Sequence, residues 1–194
     1  EAEPVLADAA ACLVRGQGSR ESIRGIASRS GGATHRTPPR APLNELDSLP
    51  SPAWDLIDLD LYRKAWQNTH GYFCLNLVSS RGCPYRCNWC AKPIFASSYH
   101  FHSPKRIASE MFRLKTQLSA DRIWFADDIF ALSAQWTHEF AAAVASLHAE
   151  VSYKMQSRCD LMTRDTVRAL RRTGCAEVWM GAESGSQKIL DAMD

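Results

Sequence analysis

The sequence predicts an α/β fold in which parallel strands alternate with helices, as a barrel or an open sheet that stops after about four strand-helix units. Three observations predict it. Short apolar runs alternate with stretches of helical periodicity over residues 73–194. Strand-helix units in series require parallel strands joined by crossovers. Residues suited to helix caps, Ser103, Ser133 and Thr163, stand where successive helical stretches open. At 194 residues and 45% hydrophobic content, the chain is long enough to bury a core.

From the N-terminus, residues 4–15 fit a short helix, with Pro4 at a first helical position and Val5, Leu6, Ala9 and Leu13 on one face. A small hairpin is predicted next, with strands at 23–28 and 33–36 around Gly31-Gly32. Five of the nine prolines fall between residues 37 and 52, which keeps that stretch extended and free of helix, so it reads as a linker. The first core strand is the apolar run 73–78. Ser103 then caps a helix with Pro104 at its first position and Ile107, Met111, Leu114 and Leu118 as its stripe. A strand at 122–126 runs into Asp127-Asp128. The next helix follows Ser133 and presents Trp136, Phe140, Val144 and Leu147 on one face. Strands at 151–156 and 176–181 flank a helix that starts at Thr163 and stops at Gly174, and a last helix begins near Ser186. In such folds ligands bind at the carboxyl ends of the strands, where a cysteine-rich loop, Asp127-Asp128, residues 156–158 and Glu183 all fall.

Charge and hydropathy exclude some partners. With 23 basic and 21 acidic residues the chain has no strong field for nucleic acid. No apolar run approaches the ~18 residues a membrane span needs, and no secretion signal opens the chain, so a cytoplasmic location is expected. The chain starts at Glu1 without Met and stops at Asp194 inside a helix beginning. It is therefore expected to be a piece of a longer protein, prone to associate through an uncovered strand edge and not to turn over by itself.

Seven cysteines in such a chain point to metal or redox chemistry rather than disulfides. Cys83, Cys87 and Cys90 lie in one short loop, Gly82-Cys83-Pro84-Tyr85-Arg86-Cys87-Asn88-Trp89-Cys90. Structural zinc sites and electron-carrying 4Fe-4S clusters take four ligands, so three leave one metal position open. Two alternatives stay open: a non-catalytic iron-sulfur carrier completed by Cys74, and a zinc-stabilised binding module completed by Cys74, His100 or His102. Cys12, Cys74, Cys159 and Cys175 are scattered and read as small buried hydrophobes.

Cys83, Cys87 and Cys90, with the aromatic Trp89 just before the last cysteine, match the CxxxCxxC signature, and the segment resembles the radical S-adenosylmethionine enzymes. The likeness continues through Phe125-Ala126-Asp127-Asp128-Ile129-Phe130 and Gly181-Ala182-Glu183-Ser184-Gly185-Ser186. It implies a partial (β/α) barrel of the radical SAM type, and a 4Fe-4S cluster that chelates S-adenosylmethionine at its open iron and splits it reductively to start radical chemistry. Around that cofactor it implies contacts from Trp89, Asp127 or Asp128, Arg158 and Glu183. An aspartate would meet the cofactor ammonium, Glu183 the ribose hydroxyls and Arg158 the carboxylate. An external electron donor of flavodoxin or ferredoxin type is implied as well.

The N-terminal stretch and residues 46–55 resemble the join between a cobalamin-binding domain and the radical domain in the cobalamin-dependent subclass. By that resemblance residues 1–36 are the tail of a Rossmann-like cobalamin domain, 37–70 a connector, and 71–194 the first part of the radical core. Methyl transfer and radical cyclisation or rearrangement of a small-molecule, lipid or tetrapyrrole-like substrate are the implied reactions.

Overall fold

The computed structural model describes residues 1–90 and 98–193. The chain divides into two units, Glu1–Asn44 and Glu45–Asp194. In the first, helix α1 (Glu3–Arg15) has Pro4 in its opening turn and Arg15 in its last, and Gly16 closes it in the left-handed region at φ 65°. Strands β1 (Ala27–Ser30) and β2 (Ala33–Arg36) pair antiparallel across Gly31-Gly32, whose φ values of 56° and 82° suit a tight hairpin turn. The first strand starts later than the sequence predicts. Arg20–Ser22 form a 3-10 turn, and Gly25 at φ 82° bends the chain, so extended pairing begins only at Ala27.

The second unit opens with the rest of the proline-rich stretch. It is not wholly free of helix, because Leu46–Ser48 make one 3-10 turn that buries Leu46. Helix α2 (Leu59–His70) was not legible beforehand. Asp58 caps it by accepting from the Leu61 amide at 3.1 Å, yet it buries no residue fully; Leu59 and Trp66 pack on the core, and Arg63 lies over the Phe73 ring at 4.2 Å.

Then come β3 (Cys74–Leu77), β4 (Ser80–Arg81), β5 (His100–Phe101), α3 (Pro104–Thr116), β6 (Arg122–Phe125) and α4 (Ala134–Leu147). Strand β7 (Ser152–Ser157), α5 (Arg164–Arg172), β8 (Cys175–Met180) and α6 (Gln187–Met193) complete the unit. The caps fall where the sequence places them: Ser103, Ser133 and Thr163 accept from the amides of Arg106, Trp136 and Thr166.

Strands β3, β6, β7 and β8 form one parallel sheet in that order. Side chains alternate across it. Leu75, Leu77, Ile123, Phe125, Tyr153 and Met155 are buried in the main core with Ile107, Met111 and Leu114 of α3 and Trp136, Phe140 and Val144 of α4. The other face carries Asn76, Trp124, Lys154 and Glu177 in one register row, with Gln156 beside Trp179 in the next. Lys154 lies over the Trp124 ring at 4.4 Å and the Trp179 ring at 5.2 Å, a polar and aromatic lining that suits a barrel interior. Gly174, at φ 101°, ends the α5 connection where a Cβ would collide with the Val151 carbonyl, and this lets β8 run close beside β7.

An aromatic cluster fastens the sheet to α4. Phe125 and Phe130 are 4.6 Å apart, Tyr153 meets Phe125 edge-on at 5.1 Å, and Trp136 meets Phe130 edge-on at 5.5 Å. Phe130 comes from the loop after β6, so packing the core also fixes that loop. Phe130→Ala should therefore lower stability by about 3 to 5 kcal/mol, read as a lower urea midpoint with an unchanged slope.

Candidate active site

Because the four strands are parallel, their carboxyl ends share one edge, and each of the loops leaving that edge brings polar groups. A cavity of about 820 Å³ opens there, within the size range of small-molecule sites. Cys83, Cys87, Trp89, Asp128, Gln156, Arg158, Trp179 and Glu183 are among the residues that line it.

The cysteine loop leaves from β3. Its stems are joined by the antiparallel pair β4–β5, and the His102 amide donates to the Ser79 carbonyl at 2.8 Å. Deeper anchoring comes from Asp127, which is 1% exposed. Its carboxylate accepts from the Ser79 amide at 3.1 Å, the Ser79 hydroxyl at 2.7 Å and the Ser80 hydroxyl at 2.5 Å. Burial pushes Asp127 up to about 6, against the pull of these hydrogen bonds. Burial likewise pushes the Tyr99 hydroxyl up to about 12, with the nearby Asp127 acting in the same direction. On the far side, the Asn88 amide and side chain donate to the Met193 and Ala192 carbonyls of α6.

The structure separates the two neighbouring aspartates. Ile129 and Phe130 are buried, the Phe130 amide donates to the Gln156 carbonyl at 2.8 Å, and the Ser157 hydroxyl donates to the Phe130 carbonyl at 2.8 Å. With the loop sewn down in this way, Asp127 turns inward to Ser79 and Ser80, and Asp128 is left lining the cavity. Glu183 lines the cavity in the left-handed region at φ 55°. A side chain at Gly181 would collide with its carboxylate. Arg158 forks onto Asp160, with Nε to Oδ1 at 2.9 Å and Nη2 to Oδ2 at 3.3 Å, and lies over the Tyr85 ring at 4.0 Å. Trp89 is half exposed at the mouth.

All seven cysteines are free thiols. Burial pushes the Cys83 thiol up, and the nearby Asp128, Cys87 and Cys90 push in the same direction. Three thiolates and a carboxylate gathered in this way repel one another unless a cationic centre sits among them, so the donor set fits an iron-sulfur cluster. Among the described residues no three His, Cys, Asp or Glu side chains converge on a single ion. A cluster makes no such demand, since each cysteine takes a different iron. Cys74 lies elsewhere, in a small crevice with Arg122 and Lys154, and the His102 ring is 2.8 Å from Asp47.

Sequence reasoning missed Tyr85, Asp160 and Trp179. Trp179 was legible as an alternate position of its strand, whereas the partnership of Tyr85 with Arg158 joins residues 73 positions apart and leaves no local pattern.

A sheet of parallel strands with a thiol-bearing loop and a ligand cavity at its carboxyl edge defines a class: part of a (β/α) barrel that carries its chemistry on strand-end loops. The chain belongs to the Radical SAM superfamily, whose model matches residues 77–194, more than half of its length. That membership brings a 4Fe-4S cluster and S-adenosylmethionine as the cofactors of the domain. An uncharacterised methyltransferase of Pyrococcus horikoshii is 27% identical over 172 residues, covering 88% of this chain and 36% of the relative. The anaerobic magnesium-protoporphyrin IX monomethyl ester cyclase of Synechocystis is 25% identical over 155 residues, covering 75% and 31%. The fold matches the radical S-adenosylmethionine methyltransferase TsrM of Kitasatospora setae with a TM-score of 0.73 at 19% identity, covering 97% of this chain and 37% of TsrM. TsrM is known with tryptophan and a SAM analogue bound, and with cobalamin and a [4Fe-4S] cluster bound. This chain thus spans about a third of the length of the relatives it matches. No helix among the described residues is long and apolar enough to cross a membrane.

The buried Asp127 carboxylate makes stability depend on pH. Its folded pKa, about 6, lies above the ordinary aspartate value of about 3.9, so between these values the folded state holds the proton more tightly than the unfolded state. Stability from this group is present below pH ~4 and lost as pH rises to ~6, by on the order of 3 kcal/mol. Asp127→Asn keeps the shape without the charge. Chemical denaturation from pH 4 to 7 should show the wild-type losing stability relative to this variant by that amount, with no further divergence above pH 7.

Proposed function

We propose that residues 71–194 are the N-terminal part of a radical S-adenosylmethionine core in which Cys83, Cys87 and Cys90 hold a 4Fe-4S cluster. The observation that carries this reading is the placement of the three free thiols in one loop, beside a ligand-sized cavity at the carboxyl edge of a parallel sheet. When bound, the cluster supplies the electron that splits the sulfonium of S-adenosylmethionine. The chain's own groups bind and shield that cofactor. Asp128, facing the cavity while Asp127 is occupied by Ser79 and Ser80, accepts hydrogen bonds from the cofactor ammonium. Glu183 accepts from the ribose hydroxyls, held in place by its left-handed backbone above Gly181. Trp89, Ile129, Trp179 and Met180 wall the cavity with apolar surface that keeps water away from the reacting atoms.

In the same reading residues 1–36 are the tail of an upstream cobalamin-binding domain and 37–70 its connector, and the whole protein transfers a methyl group to a small-molecule, lipid or tetrapyrrole-like substrate. The methyltransferase relative supports methyl transfer, and the cyclase relative supports radical cyclisation as the second reading. A flavodoxin- or ferredoxin-type protein supplies the electron. Seven free thiols agree with a reducing, cytoplasmic setting.

Reconstituted anaerobically, the protein should contain about four irons and four sulfides per chain. Replacing Cys83, Cys87 or Cys90 by Ala should abolish this loading, and Cys175→Ala should leave it intact; stoichiometric zinc without sulfide would overturn the reading. Glu183→Gln should keep the iron and weaken S-adenosylmethionine binding about ten- to hundredfold, the worth of a hydrogen bond to a charged group. Equilibrium binding to the cluster-loaded protein measures it.

A further inference from the structure

Arg158 follows β7 directly, on extended backbone at φ −103° and ψ 150°. Resemblance alone casts it as the group that meets the carboxylate of S-adenosylmethionine, yet the structure engages its guanidinium on two sides. One edge forks onto Asp160 through Nε and Nη2, which fixes the plane of the group. The flat face then lies on the Tyr85 ring with its central carbon 4.0 Å from the ring centre. Tyr85 stands midway between Cys83 and Cys87 in the sequence of the loop. A continuous physical path therefore runs from Asp160 through Arg158 to the Tyr85 ring, between two of the three thiols.

Among the described residues of the loop, burial gives the ligand segment little further support. Trp89 and Cys90 are exposed, and Cys83 and Cys87 are only part-buried, so hydrophobic burial does little to hold these residues. The stem of the loop is tied by β4–β5 and by Asp127, and Asn88 is tied to α6. Between these anchors, Tyr85 is where the sheet's own edge grips the ligand segment.

We propose that Arg158 is a positioning residue that clamps the cysteine loop through Tyr85, rather than the group that binds the cofactor carboxylate. This rests on the reading that the three cysteines hold the cluster. Solvent exposure is among the factors that set a cluster's reduction potential, so a clamp on the ligand loop reaches the electron-transfer step without touching S-adenosylmethionine.

The test compares the wild-type with Arg158→Gln, Tyr85→Leu, Tyr85→Phe and the double variant Arg158→Gln/Tyr85→Leu. In the metal-free chain, trypsin cleavage after Arg86 reports opening of the loop. Both single losses should speed that cut about tenfold, the range expected for losing one cation–ring contact, and the double variant should be no faster than either single. Tyr85→Phe, which keeps the ring, should cut at the wild-type rate. In the reconstituted protein the same variants should shift the cluster midpoint potential together, while the dissociation constant of S-adenosylmethionine changes less than about threefold. If Arg158→Gln weakened S-adenosylmethionine by tenfold or more with unchanged cleavage and potential, and Tyr85→Leu did nothing, Arg158 would be a cofactor ligand and the clamp would be overturned. Equal trypsin rates in all five proteins would also overturn it. Failure of the wild-type to take up iron and sulfide would instead strike the proposed function, and the metal-free cleavage series would still decide the clamp.

Discussion

The Asp127 carboxylate is the constraint on which the site depends. It is a charge-bearing group sealed inside the unit, and it holds its place because the Ser79 amide and the Ser79 and Ser80 hydroxyls converge on it. Those two serines lie just past the end of β3, at the base of the cysteine loop, and Asp127 is the second residue past the end of β6. One carboxylate thus ties the exits of two adjacent parallel strands. Its burial also gives it the raised pKa, which is the physical signature of a group placed for geometry at some expense to its solvation.

From that tie the division of labour at the sheet edge follows. Phe130 is drawn into the aromatic cluster of Phe125, Phe140, Trp136 and Tyr153, and Asp127 is drawn to the serines. Asp128, between the two, has only the cavity to face. The same logic recurs at the other two strand ends. Ser157 is buried against the Phe130 carbonyl and Arg158 projects to Tyr85, while beyond β8 the Cβ-free Gly181 leaves room for the Glu183 carboxylate. At the exits of β6 and β7 a buried residue anchors the backbone while a neighbour within a few positions is left to line the cavity.

Much of this was legible in the sequence. The caps at Ser103, Ser133 and Thr163 and the stripes of α3 and α4 are local signals, since a helix writes its period into residues three and four apart. The cysteine spacing is local too, so the candidate cluster ligands could be named without a structure. Helix α2 escaped because it buries no residue fully and meets the core through a mixed set of side chains, Leu59, Trp66 and the charged Arg63 over Phe73, rather than through a run of apolar ones. The β4–β5 ladder escaped because two-residue strands carry no periodicity, although they close the stems of the cysteine loop.

By itself the sequence determined the parallel α/β class, the order of its four strand-helix units and the three thiols of one loop, because each is encoded within a few neighbouring residues. Only the tertiary structure decided which of Asp127 and Asp128 faces the cavity. Adjacent residues on an exit loop are equivalent until a distant partner claims one of them, and here Ser79 and Ser80 claim Asp127 from 48 and 47 positions away. Arg158 is the same case. Its side chain can meet a cofactor, a carboxylate or an aromatic ring with equal chemical sense, and it lies on Tyr85 because folding brings the end of β7 beneath the cysteine loop. Contacts between residues far apart in the chain are set by how the sheet and its loops close in space, and no local pattern of residue types records them.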